Sequence, residues 1–254
     1  MKSPTNYVRT IDLNADLGEG SPYDEAILAI VSSANISCGA HAGDESSITH
    51  AIRCARTHNV VIGAHPSYPD RENMGRTSLN LPLSELEASI TEQLIYIKKL
   101  AKQAGTALGY VKTHGALYND MAKDVVLAKQ VCQWIVKVDA SLSVMGLAGS
   151  AVEKACSSLD IPFIAEAFID RRYQQDGTLV SRTHSDAMIS DATTAVSQAL
   201  QIIADQSVTT VSGSTTVVQA DSLCLHGDSP HALTIAKQLR SALQNHNIDI
   251  RAKR

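Results

Sequence analysis

Short apolar runs rich in β-branched residues recur along the chain, at Val8 to Leu13, Asn35 to Cys38, Val60 to Gly63, Leu108 to Lys112, Leu142 to Leu147, Phe163 to Ala167 and Ser222 to Leu225. Bounded by Gly, Pro and polar turns, runs of this length predict buried strands. Between most of them the apolar spacing changes to that of a helix face. Leu86, Ile90, Leu94 and Ile97 follow one another at intervals of four, four and three, with Ser84 and Glu87 as a capping box ahead of them. Met121, Val125, Ala128, Cys132 and Ile135 keep the same rhythm, as do Ala232, Ala236, Leu239 and Leu243. Asp44 is placed to cap a helix carrying Ile48, Ile52 and Ala55.

Strands alternating with amphipathic helices predict a mainly parallel sheet covered by helices. An open, doubly wound sheet would gather its polar residues near one switch point. Here nearly every predicted strand ends in a charged or imidazole-bearing turn, as when a closed α/β barrel builds one site from many loops. A length of 254 residues suits a single (β/α)-barrel domain spanning 1–254. Pro66 to Pro82 and Asp170 to Ser185 are long, polar and Arg-containing, and are expected as loops over the mouth of the site. Ser207 to Val218, rich in Ser, Thr and Val, is expected to form a strand or hairpin.

Composition narrows the function. An apolar fraction of 44% supports one large core, and only 4% of residues are aromatic, so stacking platforms for bases or sugars are sparse. A net charge of −4 generates no field that would gather nucleic acid or an anionic membrane surface, and neither partner is expected. No basic start leads into an apolar run and no stretch approaches the ~18 apolar residues of a membrane span, so a cytoplasmic location is expected. Five scattered cysteines without a Cys-x-x-Cys pair argue against a disulfide framework or structural zinc site, and Cys38 has no basic neighbour in sequence to make it a nucleophile.

The chemistry gathers at the strand ends. Asp12, Asn14 and Asp16 alternate along the first strand and share one face, where burial is costly unless they are paired or bind an ion. The plainer alternative is a polar turn in which Asp16 or Glu19 only caps. His41, His65 and His114 each follow a strand in a turn of small residues. With Asp16 they have the ligand types of a divalent metal site, or they act as acid, base or hydrogen-bond donors without one. Lys112 lies on the same face as His114, placed to neutralise an anion, or else packs its stem and extends its head to solvent. Arg171 and Arg172 form either an anion clamp or a surface cluster. His226 and Asp228 become a base and its orienting carboxylate if their turn folds them together. The chain has no Gly-x-x-x-x-Gly-Lys-Ser/Thr loop, no Gly-x-Gly-x-x-Gly and no Gly-x-Ser-x-Gly elbow.

Five ordered segments carry a resemblance: Asp12 to Glu19, Ser33 to Gly39 with His41 to Asp44, Ile62 to Pro66, His114 to Asn119, and His226-Gly227-Asp228. In this order they resemble the LamB/YcsF family, over about Ile11 to Leu243. The pattern differs where Ala40 replaces an aromatic residue, Thr113 replaces Pro, and Asn73 to Thr77 replaces an aromatic and Arg-rich turn. The resemblance implies a TIM-like barrel, irregular or seven-stranded, related to those of metal-dependent sugar deacetylases. It also implies the role of the A subunit of 5-oxoprolinase, opening 5-oxoproline to L-glutamate at the expense of ATP together with subunits B and C, which are the better candidates for holding ATP. On this reading Asp16 is base or metal ligand, His41, His65 and His114 are acid/base groups or ligands, and Lys112 and Arg171 contact anions. Asn14, Asp44, His226 and Asp228 complete the substrate site, and a divalent metal would sit on Asp16, His65 and His114. The competing expectations are a stand-alone metal-dependent amidohydrolase or deacetylase, and a non-catalytic subunit that presents substrate.

Overall fold

A computed structural model describes residues 9–226 and 231–253. The strands are β1 (Arg9–Leu17), β2 (Ser33–Ser37), β3 (Val61–His65), β4 (Leu108–Lys112), β5 (Ser143–Leu147), β6 (Phe163–Phe168), β7 (Ser207–Thr209), β8 (Thr215–Val217), β9 (Ser222–His226) and β10 (Ile248–Ile250). The helices are α1 (Asp24–Leu28), α2 (Glu45–Thr57), α3 (Leu83–Gln103), α4 (Gly115–Lys123), α5 (Val125–Val138), α6 (Ala151–Ser158), α7 (Ala192–Asp205) and α8 (Ala232–Asn245). All seven predicted strands form, although Val8, the expected start of the first, lies outside the described residues. β2, β3, β4, β5 and β6 run parallel in chain order, and β9 closes the ring by pairing with both β6 and β1. The result is a closed, seven-stranded parallel barrel with β10 added outside it on β1. The Ser207 to Val218 segment makes the antiparallel β7–β8 hairpin.

Alternation along β1 shows how the sequence divides the barrel. Leu13, Ala15 and Leu17 point outward into the aliphatic layer beneath the helices, and all three are fully buried. Asp12, Asn14 and Asp16 point inward, as a period of two requires. A small apolar cluster of Tyr110, Met145 and Ile164, with Val61 against it, fills part of the interior. Gly63 makes room for it, since a Cβ there would lie 2.3 Å from the Tyr110 ring.

Asp44 caps α2 as expected: its side chain accepts from the Ser47 N–H, and the Ser47 hydroxyl accepts from the Asp44 N–H. Two helix expectations need correction. The Ser84/Glu87 capping box does not form, because α3 starts directly after Pro82, putting Ser84 inside the first turn, while Glu87 pairs instead with Lys137 at 2.7 Å. The Met121 to Ile135 rhythm is two helices. Asp124 breaks it by accepting from the N–H groups of Val126 and Leu127, which restarts the chain as α5 and leaves Met121 in α4. Among the described residues no helix is long and apolar enough to cross a membrane.

Candidate active site

The inward side chains of β1 are paired from below upward. Asp12 accepts from the hydroxyls of Ser32 at 2.6 Å and Ser33 at 2.8 Å, and also from Ser222. Burial nevertheless raises its pKa. Asn14 donates to Ser222 Oγ at 2.7 Å and accepts from Asn35 at 2.7 Å, so it belongs to the buried floor of the site. Asn35 also donates to Asp16 Oδ1 at 2.7 Å, and its own carbonyl oxygen accepts from the Tyr110 hydroxyl.

On this floor stands Lys112, only 2% exposed. Its Nζ lies 2.9 Å from Asp16 Oδ1, 2.7 Å from Glu166 Oε1 and 3.2 Å from Cys224 Sγ. Burial disfavours the ammonium, but Asp16, Cys224 and Glu166 outweigh it and hold its pKa well above the usual lysine value. Glu166 is fully enclosed and accepts from the Tyr118 hydroxyl at 2.8 Å. Burial would raise the Asp16 pKa as well, yet His65 and Lys112 keep it well below the usual carboxylate range. Asp16 is therefore a fixed negative charge, pinned through Oδ1, with Oδ2 3.4 Å from His65 Nε2.

Three imidazoles meet beside that charge. His65 ends β3, His114 precedes α4, and His41 lies in the turn after β2. His41 and His114 stack in parallel with centroids 3.9 Å apart, and His65 meets both edge-on. His65 Nε2 is 2.9 Å from His114 Nδ1, and His41 Nε2 is 3.0 Å from Glu19 Oε1. Burial lowers the pKa of His41, and burial with the neighbouring His65 and His41 lowers that of His114 well below the usual histidine value. Glu19, His41, His65 and His114 each bring one donor atom into a group spanning no more than 4.8 Å, an arrangement able to hold a metal ion.

The predicted 66–82 loop forms one wall. Gln93 of α3 clamps Ser67 through both its N–H and its carbonyl, and Arg71 donates to the carbonyls of Gly39 and Gly43. Gly75, at φ +65°, rests on the histidines, where a Cβ would come within 3.1 Å of both His41 and His114.

The opposite wall comes from β6, β9 and the loop after Phe168. His226 is the register partner of Asp16, stacks on Phe168, and directs Nδ1 at Asp170 Oδ2, 2.9 Å away. Asp170 also accepts from the His226 main-chain N–H. Burial opposes its ionisation, but His226 keeps its pKa below the ordinary value. Arg171 is buried, donates from Nη2 to the Val180 carbonyl at 2.6 Å, and leaves Nε without a partner among the described residues. Burial, aided by Arg182, lowers its pKa to about 10. Between the walls opens a cleft of about 610 Å³ lined by Asp16, His65, Lys112, His114, Arg171 and His226 among others.

Asp16, His65, His114, Lys112, Arg171 and His226 thus come to one cleft, with His41 packed directly behind. Asp44 does not join them, because its carboxylate is spent on capping α2 at the surface, and Asn14 lies below, within the floor. Asp228 lies outside the described residues, and the carboxylate that orients His226 is Asp170. Cys38 is buried, with its thiol pushed up to about 12 by burial, which removes it as a nucleophile. Glu19, Glu166 and Asp170 went unassigned in the sequence, although a single acid inside the apolar run Phe163 to Phe168 was a legible signal for Glu166.

The family model described as the LamB/YcsF family matches residues 11–254. The chain belongs to the LamB/YcsF family. Within it, the chain is 46% identical over 241 residues to a protein of Histophilus somni (strain 129Pt) named as the A subunit of 5-oxoprolinase, covering 95% of this chain and 98% of that one. The lactam utilization protein of Thermus thermophilus superposes with a TM-score of 0.89 at 33% identity, covering 96% of this chain and all of that one. A family 4 carbohydrate esterase from Streptomyces lividans shares the fold alone, with a TM-score of 0.51 and 10% identity.

Proposed function

We propose that this LamB/YcsF chain is the A subunit of an ATP-dependent 5-oxoprolinase and carries the site at which the lactam ring of 5-oxoproline is opened. The observation that carries the reading is the juxtaposition of a fixed, largely buried Asp16–Lys112–Glu166 charge cluster with the oriented His226–Asp170 pair at one small cleft. The subunit name borne by near full-length relatives supports it.

The chemistry follows from what the lactam resists. Amide resonance makes the ring carbon a poor electrophile, and transfer of the ATP γ-phosphoryl group to the lactam oxygen, with ADP leaving, removes that resonance. Water then adds to the ring carbon and its proton passes to His226 Nε2, the lone-pair nitrogen once Nδ1–H is committed to Asp170. The C–N bond breaks with its electron pair on nitrogen, His226 returns the proton there, the adduct's hydroxyl gives its proton to solvent as the carbonyl forms, and the resulting acyl phosphate is hydrolysed by a second water to L-glutamate and phosphate. Asp16, too weakly basic to take the proton, supplies a fixed charge that orients the groups around it. Arg171, whose Nε lacks a partner among the described residues, supplies positive charge for the substrate carboxylate. With no phosphate-cradling loop in this chain, ATP is assigned to subunits B and C.

Asp170→Asn and His226→Gln test the assignment. Each should fold normally by circular dichroism yet lower glutamate release in the complete three-subunit mixture by about 10²–10⁴-fold. Near-normal turnover in both variants overturns it.

A further inference from the structure

The hydrogen bonds on the far side of each imidazole fix which nitrogen carries its proton. His65 Nδ1 lies 2.8 Å from the Lys112 carbonyl, and His114 Nε2 lies 3.0 Å from the Met74 carbonyl. A carbonyl only accepts, so both of these nitrogens are N–H donors. The Ser67 hydroxyl donates to the Tyr68 carbonyl at 2.8 Å, so at its 3.0 Å contact with His41 Nδ1 it can only accept, and His41 Nδ1 is protonated too. In the neutral rings the lone pairs therefore lie on His41 Nε2, His65 Nε2 and His114 Nδ1. These are the nitrogens that converge: His65 Nε2 faces His114 Nδ1 at 2.9 Å, and His41 Nε2 faces Glu19 Oε1 at 3.0 Å, lone pair against lone pair.

Protons resolve this only in part. One proton between His65 and His114 leaves His41 opposed to Glu19. Two protons, one on each contact, place a positive charge on His41 and another on the His65–His114 pair, with Glu19 and Asp16 as counter-charges, inside a buried cluster in which His41 and His114 stack at 3.9 Å. A single cation resolves every contact at once. From this we infer a mononuclear divalent metal centre held by Glu19, His41, His65 and His114, taking zinc or a similar borderline transition ion. Three imidazoles and a carboxylate suit that class. Glu19 Oε1 and His114 Nδ1 are 3.7 Å apart, and all four donor atoms lie within 4.8 Å of one another. Together with the 2.9 Å and 3.0 Å contacts, those separations bracket the about 3.4 Å between neighbouring ligands on a tetrahedral ion with bonds of 2.0–2.2 Å. The carbonyls of Lys112 and Met74 and the Ser67 hydroxyl are the outer partners that orient such ligands. Asp16 stands at the edge of the centre, tied to Lys112 and Asn35. The centre is independent of which lactam the cleft takes.

The full-length protein, stripped with chelator and dialysed against Zn²⁺, Co²⁺ or Mn²⁺ in turn, should retain about one equivalent of at least one ion by elemental analysis. Co²⁺ loading should give the visible absorption bands of a low-coordinate nitrogen and oxygen site. His41→Gln and Glu19→Gln should each weaken binding by at least about tenfold, while His50→Ala, in the exposed Glu25–His50–Cys54 group, should leave it unchanged. Less than half an equivalent of every ion on the unmutated protein overturns the inference, as does binding lost in His50→Ala but kept in His41→Gln. Both readouts are of metal binding, so they stand apart from the glutamate assay.

Discussion

Lys112 and Glu166, 54 residues apart in sequence, meet at 2.7 Å inside a barrel that hides both from solvent. With Asp16 on the other side of the ammonium, one cation holds two carboxylates, Glu166 fully buried and Asp16 at the edge of the cleft. Lys112→Met removes it, leaving Glu166 without a cation and Asp16 with only His65 and Asn35 beside it, which should cost about 3–5 kcal/mol in a urea unfolding experiment. Adding Glu166→Gln to Lys112→Met deletes one of the stranded charges and should recover part of the loss. A fall below about 1 kcal/mol for the single variant contradicts the cluster.

The loop that roofs the histidines is fixed by close backbone contact. Gly115 has φ +58°, and a Cβ there would lie 2.3 Å from the Gly75 carbonyl oxygen, which accepts from the Ala116 N–H. Gly115→Ala should destabilise the protein by about 1–3 kcal/mol, seen as a drop of several degrees in the thermal midpoint. An unchanged midpoint would show that the loop can lift without cost.

Asp24 makes stability depend on pH. Burial raises its pKa to about 6, even though Oδ2 accepts from the Gly18 N–H. A carboxyl with a folded-state pKa above its unfolded value adds stability at low pH, and that contribution is lost as pH rises through about 6. The unmutated protein should therefore lose up to about 3 kcal/mol through this group between pH 4 and 7, and Asp24→Asn should remove that part of the slope. Parallel denaturation curves for both proteins at the two pH values check it; identical slopes contradict it.

How much the sequence disclosed depends on the range of the interaction. Strands, the Asp44 cap and the inward face of Asp12, Asn14 and Asp16 are local patterns, and they were legible. The break at Asp124 was hidden because a cap between two apolar stretches of matching phase leaves their rhythm intact. In the site, the strand-end position of His65, His114 and His226 was readable, whereas their partners depend on closure of the barrel. Asp170 reaches His226 from 56 residues away, a distance in sequence at which no spacing rule operates, while the nearer Asp228 drew attention by proximity alone. Glu19 looked like a turn residue because its meeting with His41 exists only once the turns after β1 and β2 lie side by side.

The most direct test of the account measures L-glutamate released from 5-oxoproline and ATP by this chain, alone and with its B and C partner subunits, beside an Asp16→Asn control. The account predicts release in the complete mixture only, accompanied by equimolar phosphate and reduced by at least about 10²-fold in the control. No release from the complete mixture, or release undiminished by Asp16→Asn, contradicts it.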